Sequence, residues 1–259
     1  MMKLATIEWM KLRRLNTMKV ILLIYAGLVP TIYLLLSLLQ VGPFHVTEDI
    51  YIFPDVYPTM AWVSSFFNLI IGVIIIVFTC NELKYKTQRQ NVIDGLNKRE
   101  IIFSKFIVVI GLSLAVTLYT FLLAMIFGLA NGSTGVFDGI DQIGVYFIMT
   151  LGYFAFAYFF ANLVKLPALA IILYLVSTTV EGIIGFIAIK EYSQFLPLTT
   201  FSNLVPFPIA ILQKSIGMKA QAQADASQLL SQGGQTLMAF IYLTIFVVIS
   251  YLVIKRRDI

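Results

Sequence analysis

At 259 residues, 59% of them hydrophobic and only 12% charged, the chain carries more apolar surface than a water-soluble fold can enclose, where roughly 25% charged residues is usual. Its net charge of +5 does not indicate a nucleic-acid binder, because the basic residues flank apolar runs and do not gather on a polar module. A single cysteine, Cys80, excludes an intrachain disulfide, and with the single histidine, His45, it excludes a zinc site or a Cys/His nucleophile.

The apolar runs are long and continuous, which points to an all-α membrane protein and not to the short alternating strands of a barrel. A bilayer core about 30 Å thick takes roughly 20 residues per helix, so this length accommodates six spans in one transmembrane domain, 1–259. Residues 1–18 place Trp9 beside Lys11, Arg13 and Arg14, a mixture suited to an interfacial helix on the inner leaflet. A charged lead-in without that role is the alternative. Leu4, Glu8, Lys11 and Leu15 share one helical face, so a clean apolar stripe is absent.

Spans are expected at 20–39, 59–81, 101–130, 143–164, 166–189 and 237–254. The first lacks a small-residue cleavage site and reads as a retained span, kinked at Pro30. The fourth and fifth are separated by little more than Lys165 and Pro167, so charge is the better guide to the count. With both termini in the cytoplasm, all of the 18 basic residues except Lys190, Lys214 and Lys219 fall inside, while Glu48, Asp49, Asp55, Asp138 and Asp141 fall outside. The expected location is therefore the cell inner membrane.

The polar stretch 82–100, between the second and third spans, is the most informative segment. Glu82 and Lys86 stand one helical turn apart, Gly95 suits a C-terminal cap, and Asn97 with Glu100 has capping-box spacing before the third span. The stretch reads as helix, turn, helix, a short amphipathic cytoplasmic connection; a solvated hairpin that only sets topology is the alternative. Its ordered set Glu82, Tyr85, Thr87, Arg89, Gly95, Arg99 and Glu100 resembles the permease of type-2 exporter-class ATP-binding-cassette transporters. The resemblance covers the whole chain. It implies that the segment around Lys84 to Leu96 is a coupling helix docking into an ATPase subunit, with Glu82, Lys84, Tyr85, Thr87, Arg89, Asn91, Ile93, Asp94, Leu96 and Arg99 as coupling residues. It further implies an export direction, a second permease copy as homodimer or related heterodimer, and a translocation path between the two copies.

Glu181 is the acid well inside an expected span, where an unpaired charge costs about 2.5–3.5 kcal/mol. It reads either as a contact in the translocation path or as a carboxyl tying the fifth span to a neighbour; Asn68 and Tyr174 are further path candidates. The outer segment 190–236 is long for a bundle connection. Pro197, Pro206 and Pro208 interrupt its apolar first part, which suits re-entrant half-helices, as the resemblance also implies.

No G-x-x-x-x-G-K-[ST] occurs, so nucleotide is not cradled in the usual way. The chain is expected to be no enzyme itself, with no catalytic, cofactor-binding or metal residues, while ATP and Mg are bound by the partner ATPase. Membrane lipids and no nucleic acid complete the expected partners. The cargo is unknown, with hydrophobic or amphipathic molecules favoured by the tyrosine-rich spans. The alternatives are a non-transporting scaffold or sensor on the same fold, and an intramembrane enzyme, for which only Glu181 is at hand.

Overall fold

A computed structural model describes residues 2–38, 40–41, 44–45, 48–84, 97–164, 166–187, 190–205 and 230–256. It is helical apart from a two-residue antiparallel ladder, β1 (Gln40–Val41) with β2 (Phe44–His45). In chain order the helices are α1 (Met2–Arg13), α2 (Asn16–Leu38), α3 (Val56–Ser65), α4 (Asn68–Lys84) and α5 (Lys98–Ala130). They continue with α6 (Asp141–Val164), α7 (Pro167–Ile187), α8 (Lys190–Ser193), α9 (Pro197–Leu204) and α10 (Gln232–Lys255). Among the described residues, five helices are long and apolar enough to cross a bilayer, and α3 with α4 makes a sixth pass if the bent pair counts as one. The protein is thus a multi-pass membrane protein, and its spans fall within a few residues of the hydropathy runs.

The second span differs from expectation. A single helix over 59–81 is replaced by two, bent by 50° at Phe66 and Phe67. Neither proline nor glycine stands at the break. A serine pair stands there instead: Ser65 turns its hydroxyl onto the Trp62 carbonyl at 2.7 Å, and the Phe67 N–H retreats to the Ser64 carbonyl at 3.1 Å. Side chains that take backbone acceptors bend a helix in this way. Regular helical bonding resumes with Ile71 N–H to the Phe67 carbonyl.

Pro30 does not interrupt α2, which runs unbroken through it. A proline leaves the carbonyl four residues back without its helical donor. That carbonyl belongs to Ala26, and the Tyr119 hydroxyl of α5 donates to it. A neighbouring helix therefore satisfies the group that proline frees, the condition under which prolines persist in membrane helices.

At the start of α5 the Glu100 carboxylate accepts from the Asn97 N–H at 2.9 Å, the returning half of the anticipated capping box. Helix α6 is the hub, packed against α3, α4, α5, α7, α9 and α10. Its face carries Tyr146, Phe154, Ala157, Tyr158 and Ala161, all buried. Small residues let neighbours approach closely: the Tyr174 hydroxyl lies where a Cβ at Gly72 would stand, and the Phe201 ring lies where one at Gly152 would. By contrast α2, α7 and α10 turn wide apolar faces outward, among them Leu23, Ile172 and Leu237, which a bilayer or a partner helix can cover.

Candidate functional site

The mixed polar and apolar face of α1 has a partner. Glu8 and Leu12 are buried, while Trp9, Met10 and Arg13 remain exposed on the other side. Glu8 meets Lys105, which sits one turn inside the apolar run of α5 and is only 2% exposed. Its ammonium also contacts Glu82 Oε2 at 2.6 Å and lies 4.1 Å from the centre of the Phe78 ring. Lys11 closes the arrangement, 3.2 Å from Glu82 Oε1 and 3.7 Å from Glu8 Oε1, and the Ser104 hydroxyl donates to Glu8 at 3.4 Å.

Two carboxylates and two ammonium groups balance to zero in a site almost closed to solvent. Such a balance is what makes burial tolerable, because an ion stripped of water is held only by its partners. The geometry has a mechanical meaning. Glu82 lies near the end of α4 and Lys105 in the second turn of α5, so the ions stand at the two roots of the polar segment and pin both to α1.

Of the residues assigned to coupling, Glu82 lies in this cluster and Lys84 is the exposed last residue of α4. Arg99 lies in the first turn of α5. Tyr85, Thr87, Arg89, Asn91, Ile93, Asp94 and Leu96 lie outside the described residues. Glu8, Ser104 and Lys105 were missed as site residues, although signals existed: Glu8 is the sole acid before Glu48, and Lys105 interrupts an apolar run that would otherwise reach Ser113.

A second polar group lies deeper, beside the bend. Tyr25 and Thr120 share a hydrogen bond at 2.9 Å, and Thr120 donates to Ser64 at 3.2 Å. Asn68 donates to Thr150 at 3.4 Å and accepts from the Tyr146 hydroxyl at 3.3 Å. These side chains come from α2, α3, α4, α5 and α6, and all six are buried. Asn68 is thus a cross-helix tie in this conformation. Tyr174 is equally enclosed, wedged against Gly72 with its hydroxyl 3.4 Å from the Tyr153 carbonyl.

Glu181 meets a different kind of partner. Its Oε1 accepts from the Leu198 N–H at 3.2 Å, and its Oε2 accepts from the Thr199 N–H at 3.0 Å and the Thr199 hydroxyl at 3.2 Å. Both N–H groups belong to the first turn of α9, whose orphan donors and positive dipole end suit a carboxylate. The N-cap residue of α9 is Leu196, which has no side-chain acceptor, so α7 supplies the cap that the local sequence lacks. Tyr242 of α10 donates to the Phe195 carbonyl just before α9, and Gln194 accepts from the Leu230 N–H at 2.9 Å. The stretch 194–201 is therefore tied to α7, α10 and α6 together.

No curated protein matches the chain. Over residues 4–189, well over half of its length, it matches the family described as ABC-2 family transporter protein. That match runs from α1 to α7, including the ion cluster and the polar segment it roots. The chain belongs to the ABC-2 family of transporter proteins, and it is accordingly a membrane permease component of an ATP-binding-cassette transporter, not a nucleotide-binding domain.

Proposed function

We propose that this permease forms, with a second permease copy, the translocation path of an ATP-driven exporter in the cell inner membrane, both termini being cytoplasmic. The segment 84–96 docks on the ATPase, and α1 lies along the inner leaflet. Nucleotide-driven movement of the docked segment passes into α4 and α5 through their ends. Rigid elements transmit such a movement, whereas a loose tether absorbs it. The observation that carries this reading is the ion cluster: Lys105 between Glu8 and Glu82 makes α1, α4 and α5 one body at the roots of the segment.

On the opposite side α9 dips into the membrane as a re-entrant half-helix. Phe201 packs against Gly152, eleven residues into α6, which is about 16 Å along that helix at 1.5 Å per residue. Glu181 then holds the half-helix by its N-terminus, at the outer end of the path.

The test is crosslinking in cells. Cysteines placed at Gln88 or Asn91 in a chain with Cys80→Ala are expected to join a copurified ATPase, while cysteines at Asp49 or Asp138 react with an impermeant reagent added outside. Reversed labelling overturns the orientation. An absent ATPase crosslink at both positions, with the protein correctly inserted, overturns the coupling assignment.

A further inference from the structure

A cleft of about 410 Å³ opens beside the bend between α3 and α4. Trp62, Phe66 and Leu69 form one wall, Met149 and Tyr153 of α6 the back, and Asn203 of α9 the other wall. Its volume falls in the range of small-molecule sites, roughly 300–1,000 Å³. Three further properties define what it suits.

The first is the aromatic wall. Trp62 and Phe66 meet edge to face with centroids 4.7 Å apart, and Phe66, standing in the non-helical link, is 61% exposed. The ring faces so presented favour a flat aromatic body. The second is charge: none of the described residues lining the cleft is acidic or basic, so an ionised ligand would lose water without gaining a counter-ion from them. The third is unused polarity. The Ser65 and Ser202 hydroxyls at the cleft are already spent on the Trp62 and Thr199 carbonyls. The Tyr153 hydroxyl and the Asn203 carboxamide make no hydrogen bond to another described residue. They are the groups left to orient a guest.

We infer that this cleft binds an uncharged amphipathic molecule with a flat aromatic body, whose polar edge is held by Tyr153 and Asn203. Neither an acyl chain nor a second copy's apolar side chain has use for those two groups. The bend lies ten residues into the pass that begins at Val56, about 15 Å along the helix and so within the apolar depth of a bilayer about 30 Å thick. A neutral guest reaches that depth from the apolar phase; an ion does not. The cleft's role as a cargo site rests on the permease reading, but binding itself requires no ATPase.

The experiment uses the full chain in lipid nanodiscs with Trp9→Phe, leaving Trp62 as the single tryptophan. N-phenyl-1-naphthylamine, a neutral probe, is titrated against Trp62 emission, and the same ring system bearing a sulfonate, 1-anilinonaphthalene-8-sulfonate, is titrated in parallel. Saturable quenching by the neutral probe is expected, with the sulfonate weaker by roughly tenfold or more. Phe66→Ala, a change at an exposed side chain that leaves folding intact, is expected to weaken the neutral probe, and Tyr153→Phe and Asn203→Leu each by roughly three- to tenfold.

Quenching that rises linearly and is insensitive to all three substitutions is partition into lipid, and overturns the inference. So does equal affinity for the two probes. So does ready disulfide formation between copies carrying Phe66→Cys with loss of the probe signal in the dimer, which would make a second copy the occupant. If binding fails while the ATPase crosslink at Gln88 persists, only this inference falls. If binding holds while no ATPase associates, the site stands and the transport reading falls.

Discussion

The bundle buries carboxylates at its two ends, and it does so by opposite means. At the end bearing α1, Glu8 and Glu82 are neutralised by Lys105 and Lys11, drawn from helices separated by up to 97 residues. At the other end Glu181 has backbone donors as partners, the N–H groups that open α9. The first arrangement is a set of mutual dependencies, in which removing one ion strands the others. The second is a cap, in which either side survives the loss at the cost of hydrogen bonds. An end that must hold three helices as one body suits the former; an end that seats one short helix suits the latter.

That contrast is broken most directly at Lys105. Lys105→Ala leaves Glu8 without its closest cation and Glu82 with only the partly exposed Lys11, so a loss of about 3–5 kcal/mol is expected, the range for breaking a buried pair. Thermal unfolding of the purified protein in detergent checks it. Pairing Lys105→Met with Glu8→Gln restores the balance, since Glu82 and Lys11 remain matched. The double variant is expected to recover most of the stability lost by Lys105→Met alone; if it is no better than that single variant, the charges are not mutually dependent.

A smaller effect is expected at the cap. Glu181→Ala strands two N–H groups and costs about 1–3 kcal/mol, whereas Glu181→Gln, which keeps one carboxamide oxygen as acceptor, costs less. Protection of the Leu198 and Thr199 amides from hydrogen exchange reports the loss locally. Equal global destabilisation by the Ala substitution and by Lys105→Ala would erase the distinction between the two ends.

The seat of α9 is probed by Gly152→Ala, which sets a Cβ into the Phe201 ring. Overpacking of this kind costs about 1–3 kcal/mol, and Phe201→Leu in the same chain is expected to relieve it. A thermal shift unchanged by Gly152→Ala would show that α9 is not seated on α6. The smallest effect belongs to Tyr119→Phe, which removes the donor to the Ala26 carbonyl that Pro30 leaves open. About 0.6 kcal/mol is expected, typical of a hydrogen bond between membrane helices. In a chain that also carries Pro30→Ala, position 30 regains a backbone N–H that can donate to the Ala26 carbonyl, and even that small loss should vanish.

Much of this was legible in the residues. The runs of apolar residues name the long helices α2, α5, α6, α7 and α10 and the bent pair α3 with α4, and the boundaries move by only a few residues. The capping spacing of Asn97 and Glu100 marks the start of α5 correctly, because a cap depends on residues three apart. The bend at Phe66 was not legible. Ser64 and Ser65 are compatible with an unbroken helix, and at the break Ser64 also accepts from Thr120 of α5, 56 residues away in sequence. Likewise Pro30 leaves a carbonyl open on local grounds, and Tyr119 from another helix supplies the donor.

The ions divide in the same way. Glu181 is anomalous by its place in an apolar run, which leaves two readings for it, and only the fold brings α9 to its carboxylate. Glu8 and Lys105 each have a local excuse, one in a charged lead-in and the other near a basic segment, so neither suggests the other.

By itself, then, the sequence determined that this is a helical membrane protein of several passes and where its polar segment lies, because hydropathy and charge act residue by residue against a bilayer. Only the tertiary structure decided which ions pair, what caps α9 and where the second pass bends. Those outcomes depend on which helix faces meet across separations of 17 to 97 residues, and a bilayer, apolar on every side, leaves that choice to packing and hydrogen bonding.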